Sequence, residues 1–187
     1  MAELFDEVKR FVKESFEKCG YKEHIKHLER TVYWVKKLKP DADEALLIAA
    51  FSHDIGTAYR WKKIQKELHQ RKFTDKEFIE RHQKECARII EEFLEKQDAN
   101  SEIIDRVKML VSKHEEGGNA DQNLLKDADS ISFFENNIPI VLNMAKEIGK
   151  EKVKQKFDWM YNRMTSEKAR RIVKKWYDKA IKDLRNV

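Results

Sequence analysis

The sequence predicts an all-helical domain, and three observations carry that prediction. Apolar residues recur at three- and four-residue spacing along nearly the whole chain. Glycine and proline are scarce, five and two in 187 residues, too few for turn-rich sandwiches and barrels. Hydrophobic residues make up 41% and charged residues 39%, a balance that suits amphipathic helices around one core and argues against wholesale disorder. A chain of this length buries a full core without staples. We therefore expect a single compact domain of about eight or nine helices joined by short loops.

Leu4, Phe5, Val8, Phe11, Val12 and Phe16 line one face of a first helix over residues 3–18, and Gly20 stops it. Ile25, Leu28, Val32, Val35 and Leu38 define a second over residues 22–38, punctuated by Pro40 and Asp41. The third, residues 43–55, reads ALLIAAF and is apolar nearly all round, the pattern of a central buried helix. Gly56 is expected to end it. Residues 57–74 are polar and basic, with Trp61, Ile64 and Leu68 hinting at a short helix. Thr74 and Glu77 resemble a capping box that opens a helix over residues 75–96. Ser101 is expected to cap the next, which reaches His114. A loop over residues 115–122 holds the Gly117-Gly118 pair, read as a turn because no phosphate-binding glycine pattern surrounds it. Helices follow over 123–135, 138–149, 150–164 and 166–184. The last is basic and amphipathic, with Val173, Trp176 and Leu184 on its apolar face, and is expected to pack on the domain.

The net charge is +5, with both signs interspersed, which argues against a nucleic-acid binder. No stretch approaches the 18 or so apolar residues of a membrane span, and the charged N-terminus lacks a signal-peptide pattern. Cys19 and Cys86 stand apart and read as reduced. A cytoplasmic setting is expected.

Against this helical map the polar residues form one pattern. His53 and Asp54 sit at the end of the most apolar helix, where an Asp is costly unless hydrogen-bonded, paired or metal-bound. His27 lies among apolar neighbours on the preceding helix. His82 and His114 occupy two later helices, and Asp127 and Asp129 interrupt the apolar run LLKDADSISFF. Imidazole and carboxylate without cysteine suit Mn, Fe, Zn, Ni or Mg with open coordination positions.

The order His27, His53-Asp54 in AAFSHDIG, and Asp129 in KDADSIS resembles the signature of the HD superfamily of metal-dependent phosphohydrolases. The likeness spans residues 22–135, with the helices of residues 138–187 expected to pack on that core. It implies an all-helical HD-type fold and a divalent metal ion held by His27, His53, Asp54 and Asp129. RHQKECARIIEEFL and KHEEGG are similar to the stretches in which some members carry two further histidines. Those would be His82 and His114, holding a second ion with Asp54 as the bridge and the residue on which activity depends. Asp127 would orient a ligand.

The resemblance implies hydrolysis of a small phosphorylated molecule such as a nucleotide. Thr57 stands where several nucleotidase and alarmone-hydrolase members carry an acidic residue, and no GYP motif occurs; those particular activities are not implied. Six-ligand members that use two irons for O₂-dependent oxidation, and a non-catalytic metal- or ligand-binding module, are the alternatives.

Arg60, Lys62 and Lys63 follow the His53-Asp54 pair, and Lys113 and Glu115 flank His114. Arg60, Lys113 and Glu115 are the expected substrate-binding residues, with Glu115 or Glu116 a candidate proton shuttle. His24 and His69 are read as surface histidines. An oligomer is compatible with the sequence.

Overall fold

A computed structural model describes residues 3–70 and 72–187, with the side chains of Leu68 and His69 left out, so the expected surface position of His69 lies outside the described residues. The described residues contain ten helices and no strand: α1 (Leu4–Cys19), α2 (His24–Leu38), α3 (Glu44–Ser52), α4 (Ile55–Gln70), α5 (Lys76–Lys96), α6 (Ser101–Val111), α7 (Ala120–Asn136), α8 (Ile138–Ile148), α9 (Lys150–Asn162) and α10 (Glu167–Arg185). They form a single domain, as the composition predicts.

α1 buries Val8, Val12 and Phe16, and ends where Gly20 takes a left-handed φ of 79°. The Gly20 amide donates to Glu17 O and the Tyr21 amide to Phe16 O, closing the last turn. α3 is the buried helix its composition predicts: every residue from Ala45 to Ser52 except Leu47 is buried. Asp43 caps it by accepting from the Leu46 amide at 2.8 Å.

Gly56 does not terminate α3. The chain breaks for only two residues, His53 and Asp54, before α4 begins at Ile55. Gly56 sits in the first turn of α4 because α5 passes close by. A Cβ there would lie 2.9 Å from Cys86 Sγ, and the Gly56 amide donates to that sulfur at 3.3 Å. The polar stretch after residue 57 thus continues one long helix.

Three starts are shifted by capping chemistry. Asp75, not Thr74, caps α5 by accepting from Phe78 N at 3.0 Å. Asn100, not Ser101, caps α6. Asn119 and Gln122 form a reciprocal capping box, so α7 begins at Ala120, three residues before the expected start.

Two apolar cores meet along α7. The first joins α1–α6 to Leu125 and Ala128 of α7. The second joins Ile131, Phe133 and Phe134 of α7 to α8, α9 and α10. α10 lays Ala169, Val173, Ala180 and Leu184 into this second core, so its apolar face is used within the domain. Every α7 residue from Leu125 to Phe134 is buried, including Lys126, Asp127, Asp129, Ser130 and Ser132. Buried polar groups need partners; those of Asp129 and Ser132 lie at the site described next. Among the described residues no helix is long and apolar enough to cross a membrane.

Candidate metal centre

The two-residue break between α3 and α4 turns His53 and Asp54 inward together. The His53 Nδ1–H donates to Ala50 O, three residues back, at 3.0 Å. His114, just past α6, repeats the device with Val111 O at 2.8 Å. Each ring therefore keeps a proton on Nδ1 and turns Nε2 inward. Neither Nε2 has a hydrogen-bond partner, although both are buried.

His27 reaches the same tautomer by another route. Ser132 Oγ donates its single proton to His27 O at 2.7 Å. The 2.9 Å contact from Ser132 Oγ to His27 Nδ1 must then use a proton on the ring. His27 Nε2 faces Asp129 Oδ1 at 3.1 Å, so the ring presents this nitrogen to the carboxylate. Fixing Nδ1–H against an oxygen is how proteins orient metal-binding imidazoles.

Two carboxylates receive these rings. Asp129 Oδ1 lies 3.1 Å from His27 Nε2 and 3.6 Å from His53 Nε2. Asp54 Oδ1 accepts from His82 Nε2 at 2.8 Å and lies 3.8 Å from His114 Nε2. Asp54 Oδ2 accepts from His24 Nε2 at 2.8 Å and lies 3.8 Å from His53 Nε2. Ligands about 2.1 Å from an ion sit about 3.0–3.5 Å from one another, so these separations are close to those of a coordination shell. Three groupings have all their donor atoms within 4.8 Å: His27, His53 and Asp129; Asp54, His82 and His114; and His24, His27 and Asp54. These groups can bind a metal ion.

The electrostatics agree with a cation site. Burial alone would raise the Asp54 carboxyl, but His53, His24 and His82 hold it well below the usual range. Burial opposes ionisation of Asp129 too, and Arg163, His53 and His27 overcome it. Burial lowers His53, yet Asp54 and Asp129 outweigh that and push it up to about 9. His114, beside the rings of His53 and His82, is pushed down to about 4, chiefly by burial. The field that holds a proton on His53 also attracts a divalent cation.

Arg163, at the end of α9, completes the Asp129 side. Its guanidinium donates to Asp129 Oδ2 and to Glu115 Oε2, its Nε donates to Ser130 Oγ at 2.9 Å, and the Trp159 ring lies beneath it. With Oδ2 so occupied, Asp129 offers Oδ1 alone to the histidines. The Glu115 amide donates to Gln83 Oε1 at 2.9 Å, which fixes that turn.

The six expected ligands thus come together. Of the expected substrate-binding residues, Glu115 lines the cavity beside the cluster. Arg60 does not: Glu67 and Glu85 hold its guanidinium between α4 and α5. Lys113 does not either, since it pairs with Glu116 at the surface at 2.7 Å. Glu116 is likewise outside the cavity. Asp127 orients no ligand; it accepts from the Thr165 and Ser166 amides at 2.7 and 2.8 Å and so anchors the entry to α10. Lys63 is the solvated residue its neighbourhood suggests.

His24 is a correction in the other direction. It is buried, bound to Asp54, and stacked against Tyr21. Its spacing of three from His27 was the available signal. Arg163 and Lys156 escaped the sequence reading; their signal is a pair of cations seven residues apart beside Met160 on the apolar face of α9.

The cluster opens into a cavity of about 160 Å³ whose walls include His24, His27, Asp54, His82 and Asp129. No curated protein and no solved structure matches the chain. A family model described as a domain of unknown function, DUF4202, matches residues 6–184, and because that match covers nearly its whole length the chain belongs to the DUF4202 family.

Proposed function

We propose that this protein is a metal-dependent phosphohydrolase of the HD type, acting on a phosphate ester of a small molecule. The observation that carries the reading is the pair of buried, unpartnered Nε2 atoms of His53 and His114, aimed at carboxylates with their Nδ1 protons committed elsewhere. His27, His53 and Asp129 would hold one divalent ion, and His82 and His114 a second. Asp54, with one oxygen toward each side, would serve both. Such ions supply Lewis acidity and bring the pKa of water toward neutrality. The ordered His27, His53-Asp54, His82, His114, Asp129 series supports the HD assignment, and the basic phosphate-binding role expected of Arg60 and Lys113 passes to other residues.

In this reading the chain's own groups do three things. Ser132, Ala50 O and Val111 O hold three imidazoles in the ligating tautomer. Arg163 keeps Asp129 ionised and turned inward. Glu115 stands in the cavity wall, held by Arg163, with Oε1 4.0 Å from His114 Nε2, and would be the proton shuttle.

The test is metal analysis of wild type and His82→Ala, paired with phosphate release from a panel of phosphomonoesters, nucleotides included. Two equivalents per chain in wild type, one in the variant, and phosphate release that chelation abolishes are expected. Absence of phosphate release with Mn, Mg, Zn, Ni or Fe would overturn hydrolysis. Retained iron with substrate-dependent O₂ consumption would replace it with oxidation.

A further inference from the structure

The cavity has two kinds of wall. One is the His/Asp cluster. The other is apolar and aromatic, built by Ile64, Phe73, Phe78, Phe133, Val141 and Met144 from α4 to α8. At its edge Trp61 stacks on Tyr21 with ring centroids 3.9 Å apart.

Into this chamber α9 sends one lysine. The Lys156 ammonium lies 5.5 Å from the Phe73 and Phe133 ring centroids and 4.8 Å from that of Trp159. Among the described residues it has no ion-pair partner; Arg163 has taken Glu115 and Asp129. Burial pushes its pKa down while the cavity carboxylates push back. A half-buried cation facing a cavity, with Glu115 and Asp129 engaged by Arg163, is a binding group for an anion.

Resting on the phosphohydrolase reading above, we infer that Lys156 grips the substrate's phosphoryl group on the side away from the His/Asp cluster, while the apolar chamber takes a small apolar or aromatic substituent on that phosphate. The whole cavity, about 160 Å³, sets an upper limit: apolar cavities of about 150 Å³ admit benzene, so the substituent is no larger than one such ring. Lys156 is the one Lys or Arg among the described residues lining the cavity, which disfavours extended polyphosphates, whose added charges would meet Phe and Met side chains.

The experiment is calorimetric titration of metal-loaded protein with two phosphonates that cannot be hydrolysed, phenylphosphonate and methylphosphonate. Wild type is expected to bind the phenyl compound about tenfold or more tightly than the methyl one. Lys156→Gln is expected to weaken both by about tenfold or more, leaving their ratio and the metal equivalents unchanged. Lys156→Arg, which keeps the charge, is expected to retain most of the affinity.

Equal affinity for the two phosphonates, or no weakening in Lys156→Gln, would overturn the inference, as would a Lys156→Gln protein that no longer holds metal. Because binding is read without turnover, a protein that binds phenylphosphonate through Lys156 yet releases no phosphate from any ester would retain this inference and lose the hydrolytic one.

Discussion

Asp54 and Asp129 are both carboxylates at the centre of one cluster, yet the molecule holds them differently. Asp54 meets imidazoles on both oxygens, from His24 and His82. Asp129 meets imidazoles on Oδ1 and a guanidinium on Oδ2. The Asp54 side chain is 18% exposed and that of Asp129 7%. The Asp54 half is built by α2, α5, the break between α3 and α4 and the turn after α6, and faces the cavity. The Asp129 half straddles the two apolar cores, and α9 supplies Arg163 to it. The C-terminal helices therefore do more than pack on a ligand-bearing core; one of them keeps a ligand ionised and aimed.

The largest break of this comparison is removal of the shared carboxylate. On the proposed two-ion reading Asp54→Ala loses both ions, because Asp54 faces both the His27/His53/Asp129 and the His82/His114 groups. Metal affinity should fall by more than about 100-fold, the upper end seen when only a ligand's supporting neighbour is lost. Metal equivalents after dialysis check this; retention of one full equivalent would mean that the two halves bind independently of Asp54.

A more selective break is Arg163→Gln, which spares every ligand. It leaves Asp129 and Glu115 without their cation, and a buried charge stripped of its partner costs about 3–5 kcal/mol. The metal-free variant should melt well below wild type. Saturating Mn should recover more of the melting temperature in the variant than it adds to wild type, since an ion at the Asp129 half replaces the missing positive charge. Equal Mn-induced shifts would show that Arg163 does not act through Asp129.

The smallest expected effect sharpens the contrast between two neighbours on α7. Asp127→Asn weakens the anchor on the Thr165 and Ser166 amides and should cost about 1–2 kcal/mol in denaturant unfolding, with metal equivalents unchanged. Any loss of metal in this variant would place Asp127 in the site after all.

These residues also show which features are visible in a linear sequence. His53-Asp54 stood out because a charged pair closing ALLIAAF has no packing explanation. Asp129 stood out for the same reason within LLKDADSISFF. Arg163 and Lys156 did not, because a cation on an amphipathic helix near a surface looks the same whether it faces solvent or a cavity. Arg60 and Lys113 misled by proximity. Arg60 closely follows Asp54 and Lys113 immediately precedes His114 in sequence, but the helical turn carries Arg60 to Glu67 and Glu85, and Lys113 points to Glu116. His24 was misjudged because its burial depends on Phe16 and Tyr21 around the α1–α2 turn.

The sequence by itself determined the helices and the order of the ligands, because apolar periodicity and a polar residue at an apolar position are both local signals. Only the tertiary structure decided how the ligands divide into two halves, which tautomer each histidine holds, and which cations serve the site. Those properties depend on distances between helices far apart in the chain, where a carbonyl, a serine hydroxyl or a guanidinium placed within about 3 Å settles where a proton or a charge resides.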